Sequence, residues 1–159
     1  MRTVSRLLRG AERIARASGE EVPGAEHLLL SAMDLPDGTA RRAFERVGAD
    51  PDGLAAAIAA QHADALRAVG IDAGDLDDLE VPAQEGRGVF RSTPSAQAVF
   101  RRAVDLSGTP RPRQLLGAHI VVAVAEMEHG TAARALSRMG VERGQLARAA
   151  SDELIRTRA

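Results

Sequence analysis

The sequence lacks several residue types, and two of the absences exclude particular chemistry. Its 159 residues include no Cys, Lys, Asn, Trp or Tyr. Without cysteine the chain can form no disulfide, no thiolate metal site and no cysteine nucleophile. Without lysine it can form no phosphate-binding loop of the G-x-x-x-x-G-K-[ST] type and no lysine Schiff base. Enzyme classes that depend on these groups are therefore excluded.

Aromatic side chains and long apolar runs are scarce as well. Aromatic residues make up 2% of the chain, which leaves almost none to stack on single-stranded nucleic acid. The formal net charge of −1 also argues against a strongly basic nucleic-acid-binding protein. No apolar run approaches the roughly 18 residues of a membrane span. The opening residues, MRTVSRLLRG, are too polar for a signal peptide, so we expect a cytoplasmic protein without nucleic-acid or membrane partners.

The charged residues that are present are unevenly distributed. All 21 basic residues are arginine, and the Ala-, Arg- and Gly-rich composition is typical of a GC-rich genome such as that of an actinomycete. Residues 69–92 carry 2 Arg against 6 acids, whereas residues 93–159 carry 10 Arg against 6 acids. The acidic stretch includes Asp72 to Glu80 and is followed by Pro82, Gly86 and Gly88. This composition predicts a solvated flexible connector; an acidic arm folded over a basic surface is the alternative.

The second half of the chain repeats the first. When His27 is placed over His119, residues 27–58 lie over residues 119–150 without a gap, and 11 of these 32 positions are identical. In so alanine-rich a composition, about three identities would occur by chance, so the match indicates an internal duplication.

Each copy has the periodicity of amphipathic helices. In both copies, apolar residues recur at i, i+3, i+4 and i+7: Ala40, Ala43, Phe44 and Val47 in the first, and Ala132, Ala135, Leu136 and Met139 in the second. This is the stripe of a helix that buries one face. Gly48 and Gly140 follow the stripes at positions typical of left-handed C-caps, and we expect Thr39 and Thr131 to serve as N-caps.

The pattern predicts an all-α fold made of two four-helix units, eight helices in total, related by pseudo-twofold symmetry. We place the first repeat at residues 1–68, an acidic Gly- and Pro-containing linker at 69–92, and the second repeat at 93–159. No segment alternates with period 2, so strands are not expected.

The stretch GAEHLLL at residues 24–30 resembles the G-T-E-H-L-L-L signature of the Clp N-terminal (Clp repeat) domain family. The segments at 40–48 and 132–140 resemble its A-x-x-x-L-x-x-x-G element. The resemblance extends from Thr3 to about Leu154 and is strongest to the bacterial ClpC-type domains. In full-length members the domain precedes AAA+ modules, which this sequence does not contain, so the resemblance implies a stand-alone recognition domain that is not an enzyme and needs no cofactor.

The resemblance also implies the kinds of ligand. These are substrate proteins, including arginine-phosphorylated ones, adaptor proteins, and cyclic peptide antibiotics that target ClpC. Such a domain would act as a decoy or a modulator of the Clp protease. The alternative is an adaptor or regulator that docks on ClpC or ClpP without binding small ligands.

The family's phosphoarginine pockets can be transferred to particular residues. Each pocket uses the Glu before the signature His for the guanidinium and a Thr at the start of the opening helix for the phosphate, and helix N-termini and carboxylates suit these two groups. The first pocket would use Thr3 and Glu26. The second would use Thr93, but Ala118 stands where its carboxylate should be, which predicts at most one phosphoarginine site. Thr3 lies 24 residues before His27, whereas Thr93 lies 26 before His119.

The family's antibiotic surface transfers less well. ClpC-type domains carry aromatic residues immediately before each opening Thr, where this chain has Arg2 and Ser92. Val89 and Phe90 lie nearby in the sequence and could substitute for the missing aromatic residues.

The histidines and paired arginines have simpler interpretations. His27 and His119 lack the partners of a zinc site, so we expect structural histidines at helix starts and no metal. His62 and His129 are predicted to lie at the surface. The arginine pairs 41/42 and 101/102 are predicted to lie on solvated faces.

Overall fold

The computed structural model describes residues 2–70, 91–108 and 114–158, and in these ranges it shows eight α-helices and no strand. This confirms the predicted all-α class. The helices are α1 (Arg2–Ala17), α2 (Ala25–Met33), α3 (Thr39–Arg46), α4 (Leu54–Ala68), α5 (Pro94–Ser107), α6 (Gly117–Ala125), α7 (Thr131–Arg138) and α8 (Arg143–Arg158). None of the described helices is long and apolar enough to cross a membrane.

The duplication is visible in the helix starts. α1 and α5, α2 and α6, and α3 and α7 each begin 92 residues apart. The same offset relates the 3-10 turn at Pro51–Gly53, which precedes α4, to the start of α8. The spacing found between His27 and His119 therefore extends to the opening helices. In this register the equivalent of Thr3 is Ser95, not Thr93.

The helix ends follow local chemistry with one exception. Gly48 and Gly140 both have φ of 72°, which confirms the predicted left-handed caps. Thr39 and Thr131, however, are the first residues of their helices, and the N-caps are Gly38 and Gly130, without a side-chain cap hydrogen bond. The predicted threonine caps are therefore wrong. In the case of Thr39, the hydroxyl is engaged with Asp37 and with the start of α6.

The core is centred on α2 and α6, which pack against each other. Every residue of α6 is buried, because helices of both repeats surround it. The largest fully buried side chains are Phe44, Leu7, Leu28, Leu29, Leu54, Ile120, Leu136 and Leu146. A Cβ at Gly117 would lie 2.9 Å from the Ala40 Cβ and 3.0 Å from the Ala32 oxygen, so this glycine allows α6 to start close to α2 and α3.

The two repeats pack together reciprocally. α3 of the first repeat lies against α8 of the second, and α7 of the second lies against α4 of the first. Since α7 is the equivalent of α3 and α8 that of α4, the two contacts are related by the predicted pseudo-twofold axis.

Candidate functional site

The starts of α2 and α6 are built in the same way around their histidines. The Gly24 N–H donates to His27 Nδ1 at 2.8 Å, and the Leu116 N–H donates to His119 Nδ1 at 2.9 Å. Both rings are buried. The structural role predicted for these histidines is confirmed, because each satisfies a backbone donor at a helix start.

Burial lowers the pKa of both rings. At His27 the negative charges of Glu26 and Glu20 oppose the effect of burial, while at His119 the charge of Arg158 adds to it. Each neutral ring accepts at Nδ1, so its proton lies on Nε2. Neither Nε2 has a hydrogen-bond partner within the described part of the chain.

This tautomer determines whether His27 could act as a metal ligand in a small polar cluster. Glu26, His27 and His62 offer ligand atoms that lie within 4.8 Å of one another, which is close enough for a metal ion. The Nδ1 lone pair of His27 is already used, however, and its Nε2 carries a proton. His27 therefore has no free lone pair for a metal ion, and the ring atom it presents to Glu26 Oε1 is Nδ1.

Glu26 is the acidic centre of the cluster, and its side chain is 13% exposed. Its Oε1 lies 3.7 Å from His27 Nδ1 and 3.8 Å from His62 Nε2. The His62 ring lies nearly parallel to that of His27, with centroids 6.4 Å apart, and its Nδ1 is 3.5 Å from Glu20 Oε1. A partly buried carboxylate with these neighbours is suited to bind a cation or a donor group.

His62, which was predicted to lie at the surface, is partly exposed, with 31% of its side chain accessible, and its ring packs beside His27. The repeat register contains a signal for its position. The equivalent of His62 is Leu154, which is buried, so this position of the fourth helix faces inward in both copies.

Thr93 reaches the same region from the other repeat. Its N–H donates to the Pro23 oxygen at 3.1 Å, and Pro23 lies three residues before Glu26, within about 11 Å of chain. The Thr93 hydroxyl accepts from the Ala96 N–H at 3.2 Å and lies 3.0 Å from Ser95 Oγ. We call Glu26, His27, His62, Thr93 and Ser95 the inter-repeat site.

Thr3, in contrast, is far from Glu26. α1 and α2 are joined by a short loop and run in opposite directions, with the Ser31 hydroxyl donating to the Leu7 oxygen at 2.7 Å. Thr3 lies one turn before Leu7, and Glu26 lies five residues before Ser31. The helical rise therefore separates Thr3 from Glu26 by about 14 Å along the helix axes. The structure does not bring these two predicted pocket residues together.

The corresponding region of the second repeat is closed. Ala118, at the position of Glu26, is fully buried, and its N–H donates to Thr39 Oγ1 at 2.8 Å. The Gly117 N–H lies 3.2 Å from a carboxylate oxygen of Asp37, which also accepts from the Thr39 hydroxyl at 2.5 Å. The N-terminus of α6 therefore already holds an anion from within the chain. The equivalent of Asp37 is His129, which is exposed as predicted.

The other residues predicted from the sequence are more scattered. Arg2 is exposed at the start of α1, and Ser92 is half-buried immediately before α5. Val89 and Phe90, together with most of the predicted linker, lie outside the described residues.

The paired arginines are not simply solvated. Arg101 is exposed, while Arg41 and Arg102 form ion pairs at the surface with Asp52 and Glu126. Arg42 is exposed as predicted, with 47% of its side chain accessible, and it also binds the buried Glu153 of α8.

Two comparisons with known proteins bear on this arrangement. The family model of the Clp repeat (R) N-terminal domain matches residues 2–107. The fold is similar to that in the crystal structure of the N-terminal domain of the caseinolytic protease associated chaperone ClpD from Arabidopsis thaliana. The TM-score is 0.62 at 21% sequence identity, covering 97% of this chain and 96% of that chain. No curated protein matches the chain.

Proposed function

Because the chain belongs to the Clp repeat N-terminal domain family, a family of non-catalytic recognition modules for substrates and adaptors, we propose that it binds arginine-phosphorylated proteins through the inter-repeat site. It performs no catalysis itself. The ClpC-type character and the cytoplasmic location predicted from the sequence are part of this proposal.

The observation that supports this ligand is the juxtaposition of Glu26 with the N-terminus of α5. A carboxylate binds a guanidinium through charge-assisted hydrogen bonds. A helix N-terminus favours an anion, because its first N–H groups and its dipole are directed outward. Phosphoarginine carries both groups on one side chain. Glu26 would take its guanidinium, and Thr93 and Ser95, at the start of α5, would take its phosphate.

A single site is proposed, since the second repeat offers no equivalent. Ala118 supplies no carboxylate, and Asp37 and Thr39 already accept from the first N–H groups of α6. An external anion would have to displace the Asp37 carboxylate. This carboxylate belongs to the same chain and therefore always stays near the start of α6.

Titration calorimetry with free phosphoarginine tests this proposal. We expect a stoichiometry of at most one, and we expect Glu26→Gln to weaken binding by tenfold or more, since about 1.4 kcal/mol corresponds to a factor of ten and a charged hydrogen bond contributes roughly that much. Glu45→Gln, at an exposed position of α3, is the matched control and should bind like the native protein.

A second pair of variants tests which threonine binds the phosphate. Thr93→Ala should weaken phosphoarginine binding, whereas Thr3→Ala should leave it unchanged, with thermal unfolding measured alongside to correct for the lost cap of α5. Two equivalent sites, or full binding by Glu26→Gln, would show that the site is assigned wrongly.

The proposal extends to cyclic peptide antibiotics that target ClpC. Their predicted surface comprises Arg2, Val89, Phe90 and Ser92, of which Ser92 adjoins Thr93. A domain that binds such peptides or the same substrates would compete with a full-length ClpC, and this supports a decoy or modulator role. Calorimetry with a ClpC-targeting peptide at micromolar concentration tests this part separately, and absence of heat would remove the antibiotic from the proposal.

A further inference from the structure

A groove between α1 and the C-terminal end of α2 carries an excess of positive charge. It has a volume of about 750 Å³. Four arginines of α1 line it, at positions i, i+4, i+7 and i+11, and this spacing puts them on one face of the helix. They are Arg2, Arg6, Arg9 and Arg13. We call this region, with Gly10, Ser31, Asp34 and Leu35 on its floor and opposite wall, the arginine groove.

These arginines are not neutralised by neighbouring acids. Across residues 2–70, 91–108 and 114–158, none of the four has a carboxylate oxygen within 4.0 Å. Asp34 is the one acidic residue among those that line the groove. Four positive charges against one negative charge give the groove a local potential that attracts anions.

The second repeat carries an ion pair at the place that corresponds to the arginine groove. At the position of Gly10 it has Arg102, and at the position of Asp34 it has Glu126. Arg102 Nε and NH2 donate to the two oxygens of Glu126 at 2.8 and 3.1 Å, so this forked ion pair spans the equivalent place. In the first repeat a Cβ at position 10 would lie 2.2 Å from Ser31 Oγ, so glycine lets α1 approach α2 here, and no side chain from position 10 reaches across to Asp34.

The positive face is also confined to the first repeat. The equivalents of Arg2, Arg6 and Arg13 are Pro94, Ala98 and Asp105. Sequence duplication alone therefore does not produce the groove, and its charge belongs to this copy.

We propose that the arginine groove binds an acidic peptide segment of a partner protein. Guanidinium groups bind carboxylates through paired hydrogen bonds. The arginine stems and Leu35 provide apolar surface for the rest of the peptide. The volume lies within the range of ligand pockets. Single-stranded nucleic acid fits less well, since no aromatic side chain lines the groove for base stacking.

The spacing of the arginines sets the length of the occupant. From Arg2 to Arg13 the helix rises about 16 Å, which an extended peptide of about five residues spans. The expected ligand is therefore a short segment with Asp or Glu at alternate positions. The groove lies toward the N-terminus of α1, at the end of the α1–α2 pair opposite Glu26, so this proposal does not rest on the inter-repeat site.

Fluorescence anisotropy with a labelled Glu-Ala-Glu-Ala-Glu peptide at low salt tests the groove. Arg6→Gln/Arg9→Gln should weaken binding about tenfold, because two exposed ion pairs together contribute roughly one factor of ten. Arg101→Gln/Arg148→Gln removes the same charge from exposed positions outside the groove. This control should change binding by less than about twofold, as long-range attraction is partly screened.

A transplanted ion pair provides an independent test. The triple variant Gly10→Arg/Ser31→Ala/Asp34→Glu gives the first repeat the residues Arg102, Ala123 and Glu126 of the second. It should lose binding of the acidic peptide while keeping the helical circular dichroism spectrum and the cooperative unfolding of the native protein, which show that it is folded.

Three results would overturn the proposal. One is the absence of peptide binding at low salt, and another is equal weakening by both arginine double variants, which would indicate diffuse attraction. The third is tighter, groove-dependent binding of a single-stranded oligonucleotide of equal charge, which would assign the groove to nucleic acid.

Discussion

The two repeats have the same helices but different surfaces. Their helices start at a constant offset of 92 residues, and both use a histidine to hold the start of their central helix. The first repeat keeps Glu26 accessible and leaves the arginine groove open. In the second repeat, Ala118 is buried, Asp37 occupies the start of α6, and Arg102 pairs with Glu126. The packing pattern is the same in both copies, while the carboxylate of the proposed inter-repeat site and the arginine groove belong to the first copy.

The two contacts between the repeats, α3–α8 and α7–α4, differ in how deeply their ion pairs are buried. At the α3–α8 contact, Glu153 is 4% exposed and accepts from Arg42 Nε at 2.8 Å and from Arg46 Nε at 2.6 Å. At the related α7–α4 contact, Arg138 pairs with Asp64 at 2.7 Å, and both are exposed. Burial alone would raise the pKa of Glu153, but its hydrogen bonds with the two arginines outweigh burial and lower this pKa.

The largest expected effect comes from removing the arginines at these two contacts. It tests whether the buried ion pairs contribute more to the free energy of unfolding than the exposed pair does. Arg42→Met/Arg46→Met leaves the Glu153 charge buried without a partner, and we expect it to lower the free energy of unfolding by about 3–5 kcal/mol. The equivalent pair Arg134→Met/Arg138→Met should lower it by less than about 1 kcal/mol, because exposed ion pairs contribute little. Urea denaturation at neutral pH measures both.

A rescue variant distinguishes the ion pairs from the packing of the arginine stems. Adding Glu153→Met to the first double variant should restore most of the stability, since a buried ion cluster can be replaced by apolar groups of similar volume. Equal losses in the two double variants would show that the contacts are energetically alike.

The next effect concerns Asp37, whose carboxylate lies at the start of α6. Asp37→Ala removes the acceptor for the Gly117 N–H and the partner of the Thr39 hydroxyl, and it should cost about 0.5–2 kcal/mol, as for the loss of a helix cap. His129→Ala, at the equivalent exposed position, should cost less than about 0.5 kcal/mol. Thermal and chemical unfolding of the two variants compare them directly. A neutral Asp37→Ala variant would mean that α6 does not depend on this carboxylate.

The last effect is a pH dependence shared by the two repeats. The folded-state pKa values of His27 and His119 are lowered, so below about pH 6.5 the unfolded chain binds protons that the folded chain does not. The free energy of unfolding should fall as the pH drops through this range, by at most about 1.4 kcal/mol per histidine for each pH unit. Denaturation at pH 7.5 and 5.5 measures it.

His27→Gln and His119→Gln should each remove part of this pH dependence, and the double variant should remove most of it. An unchanged difference between the two pH values in the double variant would assign the effect to other groups.

Most of the fold could be predicted from the sequence, because helix periodicity and glycine caps involve residues within four positions of each other. The histidines at the helix starts were predicted for the same reason. The local patterns missed contacts whose partners lie elsewhere in the chain. Thr39 faces α6 across 79 residues, and Arg42 binds Glu153 across 111 residues. No local pattern carries such contacts.

The candidate site was only half predictable. The signature around His27 pointed to Glu26, but the sequence paired Glu26 with Thr3 of its own repeat. In the structure the Thr93 N–H donates to the oxygen of Pro23, three residues before Glu26, and His62 Nε2 of α4 lies 3.8 Å from Glu26 Oε1.

The sequence by itself determined that the chain is a duplicated helical protein and that it lacks the groups for several kinds of catalysis. It did so because amphipathic period, capping and composition are local or global properties of the chain. Only the tertiary structure decided which helix ends meet, that Asp37 lies at the start of α6, and that Gly10 lets α1 approach Ser31 of α2 beside the arginine groove. Those outcomes follow from how whole helices pack, since packing brings together residues that the chain itself keeps far apart.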